Sequence, residues 1–210
     1  MTDTLSFGEV ETLARRAARG AGLPWDLADE AGRAVRILCA ADIDGCRALA
    51  DLLAEIRVRR DAKMVPQRLQ DRVWSAPGGA LCPIRTGTAL SDIARHLPPD
   101  GVGLVGVTVP ALILPFAADV ARIVQGPVTL SWHSGILSIG PDGLPRSEGM
   151  AKLVQTRQTG LHLHPGGPGM PPAPPQTRAR PDPEAWAALV ALAARTLAPP
   201  GDPVPCDPVG

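Results

Sequence analysis

The side chains best suited to chemistry in this sequence are a thiol, a guanidinium, a carboxylate and an imidazole in its middle third. Cys82 and Arg85 flank a proline, and Asp92 follows them closely. Arg85 could clamp a carboxylate through two hydrogen bonds, while Cys82 would need a base such as the distant His133 to become a nucleophile. Cys82, Asp92 and His133 are therefore candidate catalytic residues, and Arg85 is a candidate ligand-binding residue. A buried structural cysteine and a histidine in an ordinary hairpin are the alternatives.

A second candidate group lies at the end of the first predicted helix. Arg16 and Arg19 precede Gly20, and Gly22 is followed by a proline and then Trp25. Arginines near a helix C-terminus satisfy its last carbonyls, and a glycine ends the helix, so structure alone could explain the first three residues. It does not explain the second glycine and the large ring after it. We expect these five residues to form a corner that binds a small anion.

Two further motifs match known binding patterns in part. Gly101, Gly103 and Gly106 have the letters of a dinucleotide fingerprint, which requires glycines that follow a strand and open a helix. Here a turn precedes them and a β-rich run follows, which favours close packing in a strand over an NAD-type cofactor. His162 and His164 could face one metal ion, but no third ligand is near in sequence. The sequence predicts no metal and no required cofactor.

Composition excludes several classes of protein. The chain has 24 Pro and 22 Gly, yet 45% of its residues are hydrophobic, which excludes a wholly disordered chain. Lys+Arg and Asp+Glu number 21 each, so the basic surface of a nucleic-acid or polybasic membrane binder is missing. The uncharged segment 102–118 is too short and too rich in Gly and Pro for a spanning helix. With no signal segment and no CxxC motif, we expect a reduced, cytoplasmic protein without nucleic-acid or membrane partners.

The elements that position these groups begin with a small helical unit. Residues 1–57 contain three separate runs in which apolar residues recur at helical spacing. Ser6 and Glu9 form a capping box before the first helix, and Pro24 suits the first turn of the second. The sequence therefore predicts three short helices joined by tight turns.

Residues 58–164 predict an α/β layer that forms one globular body with the helical unit. Helices are predicted at 88–97 and 116–124, and strands at 102–109, 128–132 and 136–139. The alternation of helix and strand predicts at least two neighbouring parallel strands. The last strand is expected to return as a hairpin through a short turn at Ser134-Gly135. The predicted fold class is α/β.

The C-terminal part differs in composition from the rest of the chain. Residues 165–183 are rich in Pro and Gly and predict an extended, solvated linker. Residues 184–197 predict an Ala-rich tethered helix, and residues 198–210 predict a disordered tail.

The N-terminal string resembles a bacterial family of uncharacterised proteins, a domain of unknown function. Residues 16–34 follow its opening, which reads approximately RAARGAGxxWxLAEEAGxA. Asp26 stands where the family usually has Gly, and Asp29 replaces the first Glu. Weaker motifs extend the resemblance through Cys82-Pro to Trp186. This resemblance implies no particular activity.

A fainter resemblance is to the type-2 malate/lactate dehydrogenases. Their helix, Gly-x-Pro corner, second helix and Asp-x-x-Gly stretch correspond in rhythm to residues 21–45, and a later strand is similar to residues 101–107. Their Ser-His-Gly is Asp44-Gly45-Cys46 here, and the histidine after their strand is also absent from residues 109–112. The resemblance implies a dehydrogenase-like scaffold that lacks the acid/base needed for hydride transfer.

Three functions are compatible with these observations. We favour a small-molecule-binding or accessory protein of metabolism that takes a small anion on a dehydrogenase-like scaffold. The first alternative is an enzyme that acts on a small carboxylate-type substrate. Its site would use Arg16, Arg19, Cys82, Arg85 and His133. The second alternative is an interaction module, in which helix 184–197 docks on a protein partner or on a second copy of the chain.

Overall fold

The structure is a computed structural model, and it describes residues 4–59 and 61–197. These residues form seven α-helices and one five-stranded sheet, which confirms the predicted α/β class. The helices are α1 (Phe7–Gly20), α2 (Trp25–Ala40), α3 (Gly45–Arg59), α4 (Pro83–Asp92), α5 (Leu114–Val124), α6 (Glu148–Val154) and α7 (Pro183–Ala194). The strands are β1 (Val73–Trp74), β2 (Val102–Thr108), β3 (Val128–Trp132), β4 (Gly135–Ile139) and β5 (Gln158–Pro165). The tail predicted at 198–210 lies outside the described residues.

The capping residues predicted from the sequence lie at the starts of α1 and α2. The Ser6 hydroxyl accepts the Glu9 backbone N–H at 3.2 Å, and the Glu9 carboxylate accepts the Ser6 backbone N–H at 2.7 Å. This is the predicted capping box, and α1 then runs to Gly20 as predicted. Pro24 is the N-cap of α2, one residue before its first turn. The three predicted helices are thus α1, α2 and α3.

The sheet has the order β1-β2-β5-β3-β4, and only β1 and β2 are a parallel pair. The prediction of neighbouring parallel strands at 102–109 and 128–132 is wrong. β2 and β3 point the same way, but β5 lies between them and is antiparallel to both. β4 occupies the other edge of β3, so only one edge of β3 is left for β5. In β5, the buried Leu161 and Leu163 alternate with His162 and His164.

The hairpin predicted at 136–139 is confirmed, with its turn one residue earlier than expected. Trp132 pairs with Gly135, so His133 and Ser134 form the two-residue connection. A Cβ at Gly135 would lie 2.5 Å from the Trp132 ring, which explains why a glycine begins β4.

The helix predicted at 88–97 begins earlier than predicted. Pro83 occupies the first turn of α4, where its missing N–H has no cost, and α4 ends at Asp92. A 3₁₀ turn at Ala94–His96 follows it. Further on, β2 leads through a second 3₁₀ turn, Pro110–Ile113, into α5. Within 4–59 and 61–197, no helix combines the length and apolar character needed to cross a membrane.

Residues 166–182, which we call the C-terminal strap, run back over the body to α7. Ala173 N–H donates to the Leu144 carbonyl at 2.9 Å, and Gln176 N–H donates to the Ala40 carbonyl at 2.8 Å. Leu5 and Ala179 exchange two backbone hydrogen bonds of 3.0 and 2.9 Å. The strap is therefore held to the body by backbone hydrogen bonds at three places along its length, and the solvated linker expected at 165–183 stays a prediction.

The last helix packs within the same chain, against α1 and α3. Asp182 caps α7 by accepting the Ala185 N–H at 2.9 Å. A Cβ at Gly20 would lie 1.9 Å from the Leu192 carbonyl oxygen, so the glycine at the end of α1 is what allows α7 to approach. The two ends of the described chain thus meet on one side of the molecule.

A charged pair joins the helical unit to the sheet layer. Asp119 of α5 is 8% exposed, and its carboxylate lies 2.6 Å from the Arg33 guanidinium of α2. Arg33 also contacts Glu30 at 2.6 Å and lies over the Phe116 ring at 5.4 Å. Burial acts to lower the pKa of Arg33, but Glu30 and Asp119 outweigh it and hold that pKa above its ordinary value.

Candidate functional site

The predicted anion-binding corner brings two of its residues into contact. The Arg19 guanidinium lies 4.5 Å from the centre of the Trp25 ring and donates to the Leu23 carbonyl. Gly22 has a φ of 100°, which lets the chain turn between α1 and α2. Trp25 is 65% exposed, and Arg16 lies on the exposed surface of α1. The described contacts of the corner are thus all within the chain: Arg19 with Trp25 and Leu23, and Gly20 with α7.

The other predicted site residues lie on two different elements. Cys82 is the buried N-cap of α4, and its backbone N–H donates to the Met64 carbonyl at 2.9 Å. Arg85 lies in the first turns of α4, and Asp92 is exposed at its end. His133 is exposed in the β3–β4 turn. The nine predicted site residues line none of three cavities in the described chain, which have volumes of about 330, 300 and 50 Å³.

The glycine and histidine motifs lie in strands. Gly101 precedes β2, and Gly106 forms a bulge in it with a φ of 72°, where a Cβ would lie 2.5 Å from the Gly79 carbonyl oxygen. These glycines open no helix, which agrees with the close-packing interpretation. The His162 and His164 rings are 5.7 Å apart on β5. In the part of the chain that the structure describes, no cluster of three or more His, Cys, Asp or Glu could hold a metal ion.

A cleft of about 330 Å³ separates α3 from the end of β2 and from the turn after α6; we call it the α3–β2 cleft. One wall is a stripe of four charged residues, one just before α3 and three on it, spaced three, four and four positions apart. The stripe consists of Asp44, Arg47, Asp51 and Glu55. The other wall holds Thr108, Val109, Thr156 and Arg157. The cleft therefore lies at the carboxyl end of β2.

Most charges on the α3 wall are already paired. Asp44 caps α3, since it accepts the Arg47 backbone N–H at 3.0 Å and the Asp182 backbone N–H at 2.8 Å. The Arg47 guanidinium contacts the Asp182 carboxylate at 2.5 Å. Burial acts to lower the pKa of Arg47, but Asp182, Glu184 and Asp51 hold it above its ordinary value. Among the described residues, Asp51 itself has no ion-pair partner within bonding distance.

The β2 wall contains a buried hydroxyl and a strained residue. Thr108 is 2% exposed, and its Oγ1 has no hydrogen-bond partner among the described residues. Val109 has φ 45° and ψ 62°, a left-handed conformation that is costly for a β-branched residue. Its N–H donates to the Arg157 carbonyl at 2.7 Å, which holds this geometry. The Arg157 guanidinium is exposed and has no ion-pair partner in the described chain.

The α3–β2 cleft continues into a second cavity of about 300 Å³ on the other side of Asp44. Arg146 and Asp42 form an ion pair of 2.8 Å on its rim. Val154 and Gln155 line both cavities. Asp44 also lines both, so the two cavities adjoin at the start of α3.

The α3–β2 cleft is not predicted by the sequence. The helical spacing of the charged stripe on α3 is visible in the sequence, but such a stripe is usually a solvated helix face. Thr108 and Arg157 come from elements that follow α3 at long range. Their approach to α3 depends on the strand order, which the sequence predicted only in part.

Around this cleft lie the Asp51 carboxylate and the Arg157 guanidinium, neither of which has an ion-pair partner in the described chain, together with Thr108, whose buried hydroxyl has no hydrogen-bond partner there. Arg157 can hold a carboxylate by paired hydrogen bonds, and Asp51 can accept from an amino or hydroxyl group. The Thr108 hydroxyl can donate or accept. These groups are suited to a small polar molecule that carries a carboxylate.

A search of curated proteins finds no match to this chain. The resemblance of the N-terminal residues to a domain of unknown function is confirmed by a family model that covers α1 to α4, including the α3 wall of the cleft. Residues 5–96 match the family described as "Protein of unknown function (DUF3726)".

Proposed function

We propose that this protein binds a small carboxylate-bearing molecule, such as an amino acid or a hydroxy or oxo acid, in the α3–β2 cleft. The observation that carries the proposal is that the cleft is lined by Arg157, an exposed guanidinium without an ion-pair partner in the described chain, beside Thr108, whose buried hydroxyl has no hydrogen-bond partner there. A ligand that reaches this hydroxyl would supply its missing hydrogen bond, which is worth roughly 1–3 kcal/mol to a buried group.

The size and charge of the cleft define the ligand class. A volume of about 330 Å³ is at the lower end of the range for ligand sites, which suits a small metabolite. The free guanidinium of Arg157 favours a carboxylate, and Asp51 favours a second group that donates hydrogen bonds. A binding or accessory role in metabolism is the function that fits such a ligand.

The direct test is thermal unfolding in the presence of a compound panel. The panel contains amino acids, 2-hydroxy acids and 2-oxo acids, each with its carboxamide as a control that lacks the negative charge. A ligand at about 100 times its Kd stabilises by roughly 2.7 kcal/mol, which raises Tm by about 5–10 °C in a domain of this size. Stabilisation by no carboxylate, or equal stabilisation by acids and amides, would contradict the proposal.

Two buried threonines provide a matched pair of variants. Thr108→Val and Thr86→Val each remove a buried hydroxyl that has no partner in the described chain, so each should raise stability by roughly 1 kcal/mol. Thr86 lies on α4 and does not line the cleft. We expect Thr108→Val alone to weaken ligand binding by about ten-fold, the effect of one lost hydrogen bond. Equal affinity in both variants would exclude Thr108 from the site.

The guanidinium is tested by Arg157→Met, which keeps most of the side-chain length. We expect it to abolish the preference for acids over amides, whereas Arg95→Met, an exposed arginine outside the cleft, should leave that preference unchanged.

The anion-binding corner remains a separate hypothesis. Arg16→Met in the same titrations tests it, because only a site at the corner would lose affinity.

A further inference from the structure

The second cavity, on the other side of Asp44 from the α3–β2 cleft, has a largely apolar wall. Its apolar lining residues come from the turn between α2 and α3 and from α6. Val154 is 38% exposed although its side chain is apolar, and Ala151 is exposed on the same helix. The wall therefore presents apolar surface that the protein itself leaves partly uncovered. It consists of Ala41, Ile43, Met150, Ala151 and Val154.

The charged groups that line the second cavity are already engaged with other parts of the chain. Asp42 and Arg146 form the 2.8 Å ion pair on its rim. Asp44 caps α3, and the Ser147 hydroxyl caps α6 by accepting a backbone N–H at 3.1 Å. In the cleft, by contrast, a carboxylate and a guanidinium have no ion-pair partner among the described residues. The two cavities therefore differ in what they can offer a ligand: polar groups in the first, apolar surface in the second.

The two cavities share part of their lining, so one molecule can occupy both. Asp44, Val154 and Gln155 line the cleft and the second cavity alike. Arg157 follows these residues closely in sequence and lines the cleft alone. A ligand whose carboxylate is held by Arg157 can therefore extend past Val154 and place its other end against the apolar wall.

We propose that the second cavity binds the hydrocarbon side chain of the ligand whose carboxylate lies in the cleft. The ligand class thus narrows to amino, hydroxy or oxo acids with an apolar side chain. This inference rests on the proposed function, because it takes the carboxylate to be held at Arg157. A ligand with a second carboxylate is disfavoured, since that group would lose its hydration beside the apolar wall while Asp42 already pairs with the Arg146 guanidinium.

The test measures Kd by calorimetric titration of the full chain with two unbranched series, the amino acids from alanine to norleucine and the hydroxy acids from lactate to 2-hydroxyhexanoate. We expect affinity to rise about four-fold for each added methylene group, the effect of moving it from water to an apolar wall. 2-Aminoadipate and 2-hydroxyadipate, which end the same chain in a carboxylate, should bind more weakly than the longest apolar acids. Affinity that does not depend on chain length, or tighter binding of the dicarboxylates, would overturn the proposal.

A matched pair of variants tests the location of the side chain. Ala151→Phe introduces a ring at the apolar wall, at an exposed helix position that accepts a larger side chain. It should remove the gain in affinity with chain length and spare the shortest acids. Ala187→Phe adds the same ring at an exposed position of α7 outside both cavities, and it should keep the full dependence on chain length. A dependence that survives in Ala151→Phe would contradict binding in the second cavity.

The titrations also separate this inference from the proposed function. Short and long acids that bind equally would remove the inference and leave the carboxylate site in the α3–β2 cleft. A gain with chain length that the carboxamides share in full would contradict the carboxylate site and leave the apolar one. If no acid of either series binds, both are wrong.

Discussion

At the scale of single residues, the end of β2 holds the least favourable local conformation of the described chain. Four non-glycine residues have a positive φ, namely Asp42, Arg68, Val109 and Gln125. Of these only Val109 is β-branched, so it bears the largest steric penalty, of about 1–3 kcal/mol. A residue held in such a conformation beside a polar cleft is typical of functional sites, where the surrounding structure maintains the strain.

The strain at Val109 can be measured by comparing two truncations. Both Val109→Gly and Val109→Ala remove the side-chain packing, but only glycine accepts a φ of 45° without penalty. We expect Val109→Gly to be more stable than Val109→Ala by about 1 kcal/mol in chemical unfolding. At Val105, a β2 residue that does not have a positive φ, the order should reverse, because alanine restricts the unfolded chain more than glycine does. A Val109→Ala protein at least as stable as Val109→Gly would show that Val109 carries no strain.

At the scale of elements, local sequence signals predicted helix ends, strands and a hairpin. The structure differs from the prediction where strands pair over long range. The capping box and Gly20 predicted both ends of α1, and alternating turn and apolar residues predicted β2, β3 and the hairpin. β5 has a local strand signal in its alternation of leucines with histidines, but its place between β2 and β3 is fixed by long-range hydrogen bonds. The C-terminal strap has the composition of a linker, and only its contacts with distant residues show how it is held.

The contact between α1 and α7 predicts opposite effects for two glycine substitutions on one helix. Gly20→Ala places a methyl group where the Leu192 carbonyl oxygen lies, so it should destabilise the protein by about 2–3 kcal/mol. Gly8→Ala meets no atom within 4 Å and should stabilise by about 0.5–1 kcal/mol through helix propensity. Urea unfolding of both variants checks the signs. Limited proteolysis should also cut the strap faster in Gly20→Ala, and an unchanged rate would contradict displacement of α7.

The capping box predicts a pH dependence of stability. Hydrogen bonds from Ser6, its hydroxyl first, hold the pKa of Glu9 below its ordinary value of 4.5. A lowered pKa in the folded state stabilises fully above the unfolded pKa, and this contribution is lost as pH falls through the folded value. The stability difference between the wild type and Glu9→Gln should therefore be constant down to about pH 4.5 and shrink below it.

The control for this pH dependence is the same substitution in a Ser6→Ala background. The Ser6 hydroxyl is the main cause of the lowered pKa of Glu9, so its removal should flatten the dependence on pH. A dependence that is equally steep in both backgrounds would assign it to a group other than the capping box.

At the scale of the whole molecule, the helical unit and the sheet layer form continuous parts of one core. Buried residues of α1, α2 and α3 belong to the same apolar cluster as those of β2, β3 and α5. The α3–β2 cleft lies between the two parts, which is why it could not be predicted: its walls are adjacent only after the layers have packed. The sequence predicted both layers and left open how they face each other.

The ion pair between α2 and α5 tests how these parts depend on one another. Asp119→Asn removes the more buried of the two carboxylates that pair with Arg33 and leaves only Glu30, so it should destabilise by about 2 kcal/mol, with a single unfolding transition because the core is shared. Asp100→Asn is the control, since Asp100 and Arg72 form a pair of 2.5 Å in which both side chains are mostly exposed. We expect it to change stability by less than about 0.5 kcal/mol. Similar losses in both variants, or two transitions for Asp119→Asn, would contradict a buried link within one cooperative unit.

The contact of α7 with α1 has a consequence for synthesis on the ribosome. α1 is the first described helix and α7 the last, yet each covers the other. During synthesis one side of α1 therefore stays uncovered until α7 has been made and has left the exit tunnel. The backbone bridge between Leu5 and Ala179 is subject to the same delay. α2 and α3 can pack early against α1, but a chain that stops before α7 would expose an apolar face along α1.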